Sequence, residues 1–354
     1  MNIPFYQNIR RVMKKNNYQE KMAEEVKIYE NVNNVHDLPD IFHYWSNKYL
    51  REKLQLFGFE NVKEFYCIYL QKISNLHKGS KKHFLGIGTG NCDFEIEVTR
   101  TLLDSGVSNF SFHCLDINPH MLERGRISAQ NYNVADYITF INEDINSWSP
   151  PKGYHAIIAN QSLHHFIELE ILFEKIYDSL LPKGYFLTND MVGRNGHMRW
   201  PEALDIVNMI WGKLPDKYKY NHQLKRFENK YDNWDCSKEG FEGVRSQDIL
   251  PLLVKSNFHF DLFFCFGNII NIFIERAFGH NFDADSEIDK KIIDHITQID
   301  EKCIEAGIIK PTQMIAALSK ENLDIPKYYK HLTPHFCTRW TITESEINSL
   351  FNFV

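Results

Sequence analysis

Apolar and polar positions change period once along this chain, near Lys82. Before it, LPDIFHYWSNKYLREKLQLFG (Leu38–Gly58) and NVKEFYCIYLQKISNLHKG (Asn61–Gly79) place apolar residues every three to four positions and stop at glycine. That pattern predicts helices. After Lys82, short apolar runs alternate with amphipathic stretches. HFLGIG, NFSFHCLD, YITFINED, HAIIAN and YFLTND read as five strands. Between them, NCDFEIEVTRTLLDSG and INPHMLERGRISAQNY read as helices, the second with Asn118 as N-cap and Pro119 in its first turn. FIELEILFEKIYDSLLPKG carries Phe166, Leu169, Phe173, Ile176 and Leu180 on one stripe. Strands alternating with helices in this way predict βαβ units and a parallel sheet.

The rhythm then breaks. Met191–Ser256 reads as mainly helical, FHFDLFFCFG as a sixth strand, Asn268–Gly307 as helical and TQMIAALSK as a seventh strand. The expected layout is a helical N-terminal cap over 1–80 and a Rossmann-like α/β domain over 81–320. That domain carries helical insertions at about 191–256 and 268–310, and residues 321–354 form a C-terminal extension with one short helix.

Composition narrows the function classes. The chain has 354 residues, 43% hydrophobic and 24% charged, which is ordinary for a folded protein with a sizeable core. Net charge is −6 and no basic stripe runs along it, so nucleic acid is not an expected partner. RRVMKK (Arg10–Lys15) and KGSKK (Lys78–Lys82) are short and read as solvated surface. Seven scattered cysteines without a C-x-x-C indicate free thiols in a reducing compartment. MNIPFYQNIRRVMKKNN has no apolar signal core, and Phe260–Gly279 is interrupted by Asp261, Gly267, Asn268 and Asn271. A cytoplasmic protein with no membrane span is the expectation.

Ligands of such sheets bind at the carboxyl ends of the strands, so those ends are where chemistry is sought. After the first strand stands Gly88-Thr89-Gly90, with Cys92 and Asp93 where a dinucleotide loop would carry its third glycine. The glycines allow close approach of a ligand to the backbone, or simply serve a strand-to-helix turn. Asp116 ends the second strand, where a carboxylate accepts both hydroxyl protons of a ribose; the competing role, an N-cap, is already filled by Asn118. Asp144 ends the third strand and suits an adenine edge, or else is a solvated loop acid, with Glu143 the lesser candidate. NQSLHHF follows the fourth strand. His164 and His165 are candidate general bases, or a structural hydrogen-bonder and a pocket wall. A metal is not expected there. Adjacent histidines at a strand end point apart, and no acid or cysteine stands at ligand spacing.

In order, FLGIGTGNCDFEIE, FHCLDINPHMLERG, ITFINEDI, HAIIANQSLHHF and LLPKGYFLTND resemble the class I S-adenosylmethionine-dependent methyltransferases over roughly Lys82–Asp190. The resemblance implies a seven-stranded, mostly parallel sheet with helices on both faces, closed by the two late strands. It implies S-adenosylmethionine as cofactor. Gly88 and Gly90 would approach its methionine part, Asp116 its ribose, Met121 an adenine face and Asp144 the adenine edge. Asn160 would lie near the sulfonium, with Gly86, Ile117 and Ile145 completing the cofactor set. The family's acid two residues before the first loop glycine is replaced by Gly86, and Asp93 or Glu95 is the candidate substitute. MVGRNGHMRWPEAL, VRSQDILPLL and HDLPDIFHYWSNKYL resemble a bacterial subset of the family without defining a substrate.

The acceptor pocket is expected from the parts outside the shared fold: His43, Tyr44 and Trp45, then Arg199 and Trp200, then Arg245. Core packing competes for the tryptophans, and ion pairing for the arginines. The expected reaction is methyl transfer to a small molecule, sugar or short peptide, with oxygen favoured over nitrogen or carbon. A non-catalytic cofactor-binding scaffold and a nicotinamide-dependent oxidoreductase are the rival readings. Nothing in the sequence sets an oligomeric state.

Overall fold

The computed structural model describes Tyr18, Lys21, Met22 and residues 38–340, apart from Pro150, Lys152, Glu239 and Leu323. The RRVMKK cluster and the last part of the C-terminal extension lie outside the described residues. Two helical segments, α1 (Asp40–Trp45) and α2 (Arg51–Gln55), are joined by a π-helical turn at Ser46–Leu50. Helix α3 (Val62–Leu76) is capped by Asn61, whose side chain accepts from the Glu64 N–H at 3.0 Å. Then come β1 (Lys82–Ile87), α4 (Asp93–Asp104), β2 (Phe110–Asp116), α5 (Pro119–Asn131), β3 (Ile138–Asn142), β4 (Tyr154–Asn160), α6 (Leu169–Ser179) and β5 (Leu180–Met191). The Asn118 cap and the Pro119 helix start are present as expected.

The 191–256 region is less helical than its apolar spacing predicts. It contains α7 (Pro201–Trp211), a two-residue hairpin pairing Tyr220–Asn221 with Arg226–Phe227, and α8 (Ser246–Lys255). The segment between them is rich in Gly, Pro, Asn and Asp, whose side chains compete with helical backbone bonds. Asn221 illustrates this: its Oδ1 accepts from the backbone of Gln223 and Leu224. After it follow β6 (His259–Phe266), α9 (Ile269–Ile274), α10 (Glu287–Glu305), β7 (Gln313–Ser319), β8 (Lys327–Tyr328) and α11 (Pro334–Cys337).

The main sheet has eight strands in the order β8-β6-β7-β5-β4-β1-β2-β3. The expected seven gain a two-residue edge strand, β8, from the C-terminal extension. Only β7 runs antiparallel to its neighbours, β5 and β6. β1 pairs in parallel with both β2 and β4, so the strand order reverses there and opens a crevice at their carboxyl ends. Gly86 pairs with Ile158, so two residues further the strands deliver Gly88 and Asn160 to the same rim. One continuous core runs from Ile41 through the sheet to Cys337, and the N-terminal helices are part of it. No described helix is long and apolar enough to cross a membrane. All seven cysteines are free thiols.

Candidate active site

The loop after β1 is held tightly. Gly88 has φ of +65° and Gly90 of +52°, a region other residues enter only at a cost. Space is short as well. A Cβ on Gly88 would lie 2.7 Å from Ser162 Cβ, and one on Gly90 would lie 3.0 Å from Met121 Cε. The loop therefore threads between the start of the β4–α6 connection and α5, and Met121 sits against it. Cys92, in the left-handed region at +59°, opens α4.

Asp116 ties this loop to the end of β2. Its Oδ2 accepts from the Gly90 N–H and its Oδ1 from the Asn118 N–H, each at 2.8 Å. Burial pushes the carboxyl up, while these bonds to the anion pull it back. Each carboxylate oxygen has a second lone pair available for a ribose hydroxyl. Ile117 lends its carbonyl to Asn142 Nδ2 at 2.8 Å, and Ile145 is buried next to Asp144. Asp144 accepts from Tyr18 Oη through Oδ2 at 2.8 Å and from the Asn146 N–H through Oδ1 at 2.9 Å. Tyr18 also meets the ring of Phe241 at 5.7 Å, and Lys21 Nζ reaches the carbonyls of Ser237 and Gly240. This N-terminal piece thus bridges the Asp144 loop and the insertion, a role the sequence did not signal.

Gly86 has an acid beside it. Glu95 projects from α4 so that its Oε1 would be 3.1 Å from a Cβ at Gly86. Glu95 is 3% exposed, and its Oε2 has no hydrogen-bond partner among the described residues. Burial, with Asp93 and Asp116 nearby, pushes its carboxyl up to about 8.

Across the rim, β4 ends at Asn160, whose Oδ1 accepts from Asn189 Nδ2 at 3.1 Å and Tyr66 Oη at 3.4 Å. The next residues do not continue as a strand. Leu163–His165 is a 3-10 turn, and this turns both histidine rings to one side, centroids 4.3 Å apart. The expectation that they point apart holds only for extended backbone. Asp190, fully buried at the end of β5, anchors the turn. Its Oδ2 accepts from the N–H groups of Ser162 at 2.9 Å and Leu163 at 2.7 Å. Its Oδ1 accepts from the Met191 N–H at 2.8 Å and contacts His164 Nδ1 at 2.6 Å.

Glu242, from the insertion, faces the same rings. Its Oε1 lies 3.4 Å from His164 Nε2 and 2.6 Å from His197 Nε2, and its Oε2 lies 3.4 Å from His165 Nε2. Burial opposes a charged His164, but Asp190 and Glu242 outweigh it and push the imidazole up to about 10. Burial lowers His197, against the pull of Glu242. Burial alone would raise Glu242, yet His164 and His197 hold it well below the usual carboxylate range. His197, Glu242 and Asp190 were not among the expected site residues. The G-H in GRNGHMRW and the acid in GFEGVRS lack any spacing that links them to HH, so only the fold joins them.

The proposed acceptor residues are distributed differently. Arg245 forks onto Glu170 (Nη1–Oε2 2.6 Å, Nη2–Oε1 2.8 Å), and its Nε meets Asp248 at 2.8 Å. It pins the segment bearing Glu242 to the start of α6. Arg199 is buried; its Nη1 donates to the His197 carbonyl at 2.8 Å, and its Nε has no hydrogen-bond partner among the described residues. Trp200 is flanked by the guanidinium groups of Arg339 at 4.4 Å and Arg194 at 5.4 Å. Trp45 is buried and stacks on Phe266 beside a small cavity that Asp300 and Thr297 also line. Tyr44 Oη donates to Asp294 on α10 at 2.9 Å, and His43 is exposed. These three thus belong to the β6–α10 side, with no described contact to the histidine cluster.

A reversing parallel sheet, a glycine loop at its switch point and an aspartate bonded to that loop from β2 are features of the α/β, Rossmann-like methyltransferase fold. Residues 85–186 match the family profile of a methyltransferase domain. It is 23% identical over 177 residues to a malonyl-[acyl-carrier protein] O-methyltransferase of Ilyobacter polytropus. That alignment covers 49% of this chain and 62% of the relative, less than two thirds of its length. Among solved structures, a putative sarcosine dimethylglycine methyltransferase from Galdieria sulphuraria superposes with a TM-score of 0.44 and 14% identity, covering 73% of this chain and 85% of that one. The geranyl diphosphate C-methyltransferase of Streptomyces coelicolor gives 0.46 and 9%, covering 85% and 98%.

Proposed function

We propose that this chain binds S-adenosylmethionine across the β1–β4 crevice and transfers its methyl group to a small-molecule, sugar or short-peptide acceptor at oxygen. The observation that carries this reading is Asp116 bonded to the Gly90 N–H. It fixes the loop that passes under the cofactor and leaves lone pairs for the ribose diol. Gly88, Gly90 and Met121 would border the methionine and adenosine parts, with Gly86, Ile117, Asp144 and Ile145 around them. The acid missing at Gly86 is supplied by Glu95, which weakens the reading of an inert scaffold. The acceptor's lone pair would form the new bond to the methyl carbon as the carbon–sulfur bond breaks, releasing S-adenosylhomocysteine, and a hydroxyl acceptor would give up its proton to His164 or His165. Alignment of those atoms supplies much of the rate. Asn160 lies on that rim, and the His164–His165–Glu242 cluster lies beyond it, on the acceptor side. The curated relative is by name an O-methyltransferase, in line with an oxygen acceptor.

The test is a thermal melt with S-adenosylhomocysteine, S-adenosylmethionine and NAD, on the wild type and on Asp116→Ala. A ligand at a hundred times its Kd adds about 2.7 kcal/mol. The reading expects a shift with both adenosyl ligands, none with NAD, and loss of the shift in the variant. A shift with NAD alone would overturn it.

A further inference from the structure

We propose that His164, His165, His197 and Glu242 form a binding site for a divalent transition-metal ion on the acceptor side of the cleft. Three separate chain segments bring these groups together: the 3-10 turn after β4, the loop after β5, and the insertion before α8. The ligand atoms of His164, His165 and Glu242 all lie within 4.8 Å of one another. The spacing of these atoms suits one shared ion. Glu242 stands 3.4 Å from both His164 Nε2 and His165 Nε2. The first distance runs from Oε1 and the second from Oε2. The Oε1–His164 separation is close to the ~3.3 Å edge of a tetrahedron whose metal–ligand bonds are about 2.0–2.1 Å, and Oε2 faces His165 from the same carboxylate. His197 Nε2, 2.6 Å from Glu242, needs only to open by under about 1 Å to take a fourth position at that spacing.

The surroundings are those of a built site. Asp190 takes the Nδ1 side of His164 at 2.6 Å, which leaves Nε2 aimed at the cluster. A carboxylate behind a ligating histidine sets tautomer and ring orientation and raises ligand basicity. Asp190 is itself fixed by three backbone N–H groups. Arg245 fixes the Glu242 segment from below. His165, His197 and Glu242 keep side-chain exposures of 22%, 20% and 34%, so an ion there is reachable from solvent. Three imidazoles and one carboxylate suit zinc, ferrous iron or cobalt rather than magnesium or calcium. If the methyltransferase reading holds, on which this last step rests, the acceptor would present an oxygen donor to the ion.

The experiment uses the full chain after chelator treatment, titrated with Co²⁺ as probe and read by visible absorption, with Zn²⁺ competition. The expected result is one equivalent bound with d–d bands. In Glu242→Gln and His197→Ala the affinity should fall more than about tenfold, and in Asp190→Asn by about 10–100-fold. The S-adenosylhomocysteine melt shift is measured on the same samples, so a folded, cofactor-binding protein that binds no cobalt separates failure of this proposal from failure of the function. Absence of stoichiometric binding overturns it. So does binding that survives in both Glu242→Gln and His197→Ala. Strong near-ultraviolet thiolate bands would instead assign the ion to Cys92, Glu95 and Cys114, and would also overturn it.

Discussion

The two sides of the cleft are held by different means. On the side proposed for the cofactor, contiguous chain does the work: a glycine loop, its neighbouring strand end and one aspartate, Asp116, all within β1 to β2. On the side proposed for the acceptor, side chains from the β4 turn, β5, the loop after it and a distant insertion converge around Glu242, with Asp190 as their anchor. Asp116 and Asp190 make the contrast sharp. Both are strand-end carboxylates that accept backbone N–H groups. Asp116 accepts one backbone N–H on each oxygen, whereas Asp190 is fully buried, accepts three backbone N–H groups and contacts His164. A backbone-built site is written locally in the sequence. A site built by convergence depends on the whole fold.

The largest effect should come from the anchor. Asp190→Asn removes a buried charge from His164 and replaces one acceptor oxygen with a donor facing N–H groups. The expected loss is about 3–5 kcal/mol in chemical denaturation. Asp190 reaches the glycine loop through Ser162 and not directly, so the variant should keep most of its S-adenosylhomocysteine shift below its lowered midpoint. Loss of under about 1 kcal/mol would mean that Asp190 is not the anchor.

Gly88 lies on the seam, packed against Ser162, the residue whose N–H Asp190 holds and whose Oγ donates to the Ile87 carbonyl at 2.8 Å. Gly88→Ala should therefore affect both sides. The left-handed backbone costs about 1–2 kcal/mol, and the 2.7 Å contact adds to it. The cofactor shift should shrink as well. A variant that loses stability but binds S-adenosylhomocysteine with unchanged affinity would place the ligand away from this loop.

The same contrast explains what could be read from sequence. The alternation of strands and helices from Lys82 to Asp190 follows from local periodicity. β1 through β4 appear where it places them, and β5 starts earlier, at Leu180, a residue expected on the helix before it. β6 and β7 also appear, because each is a short apolar run long enough to cross the sheet. Asp116 was legible because position at a strand end is a local property. His197 and Glu242 were not, since 32 and 77 residues separate them from His165, with an irregular insertion between. Arg245 shows the reverse error. An arginine in an insertion reads as an anion clamp, but its fork is taken by Glu170 and Asp248, a pairing that no sequence spacing announces.

The finest test of the side proposed for the cofactor concerns Glu95. Its folded-state carboxyl is pushed up to about 8 by burial, against 4.5 in the open chain. The folded protein therefore keeps a proton that the unfolded chain has lost. The stability this proton brings is complete below pH 4.5, declines as pH rises from 4.5 to 8, and is absent above 8. The slope is at most about 1.4 kcal/mol per pH unit, and Glu95→Gln should flatten it in denaturation curves taken across that window. Cofactor sharpens the point. An ammonium group brought beside Glu95 would favour its ionised form, so S-adenosylhomocysteine should stabilise the wild type more at pH 8 than at pH 6. The Gln variant should show no such gain. A pH-independent ligand shift in the wild type would leave Glu95 as a buried acid beneath the loop, and the grip on the cofactor's amino group would have to come from backbone carbonyls. In that case the cofactor side would be built from main chain more completely than the contrast with the acceptor side already requires.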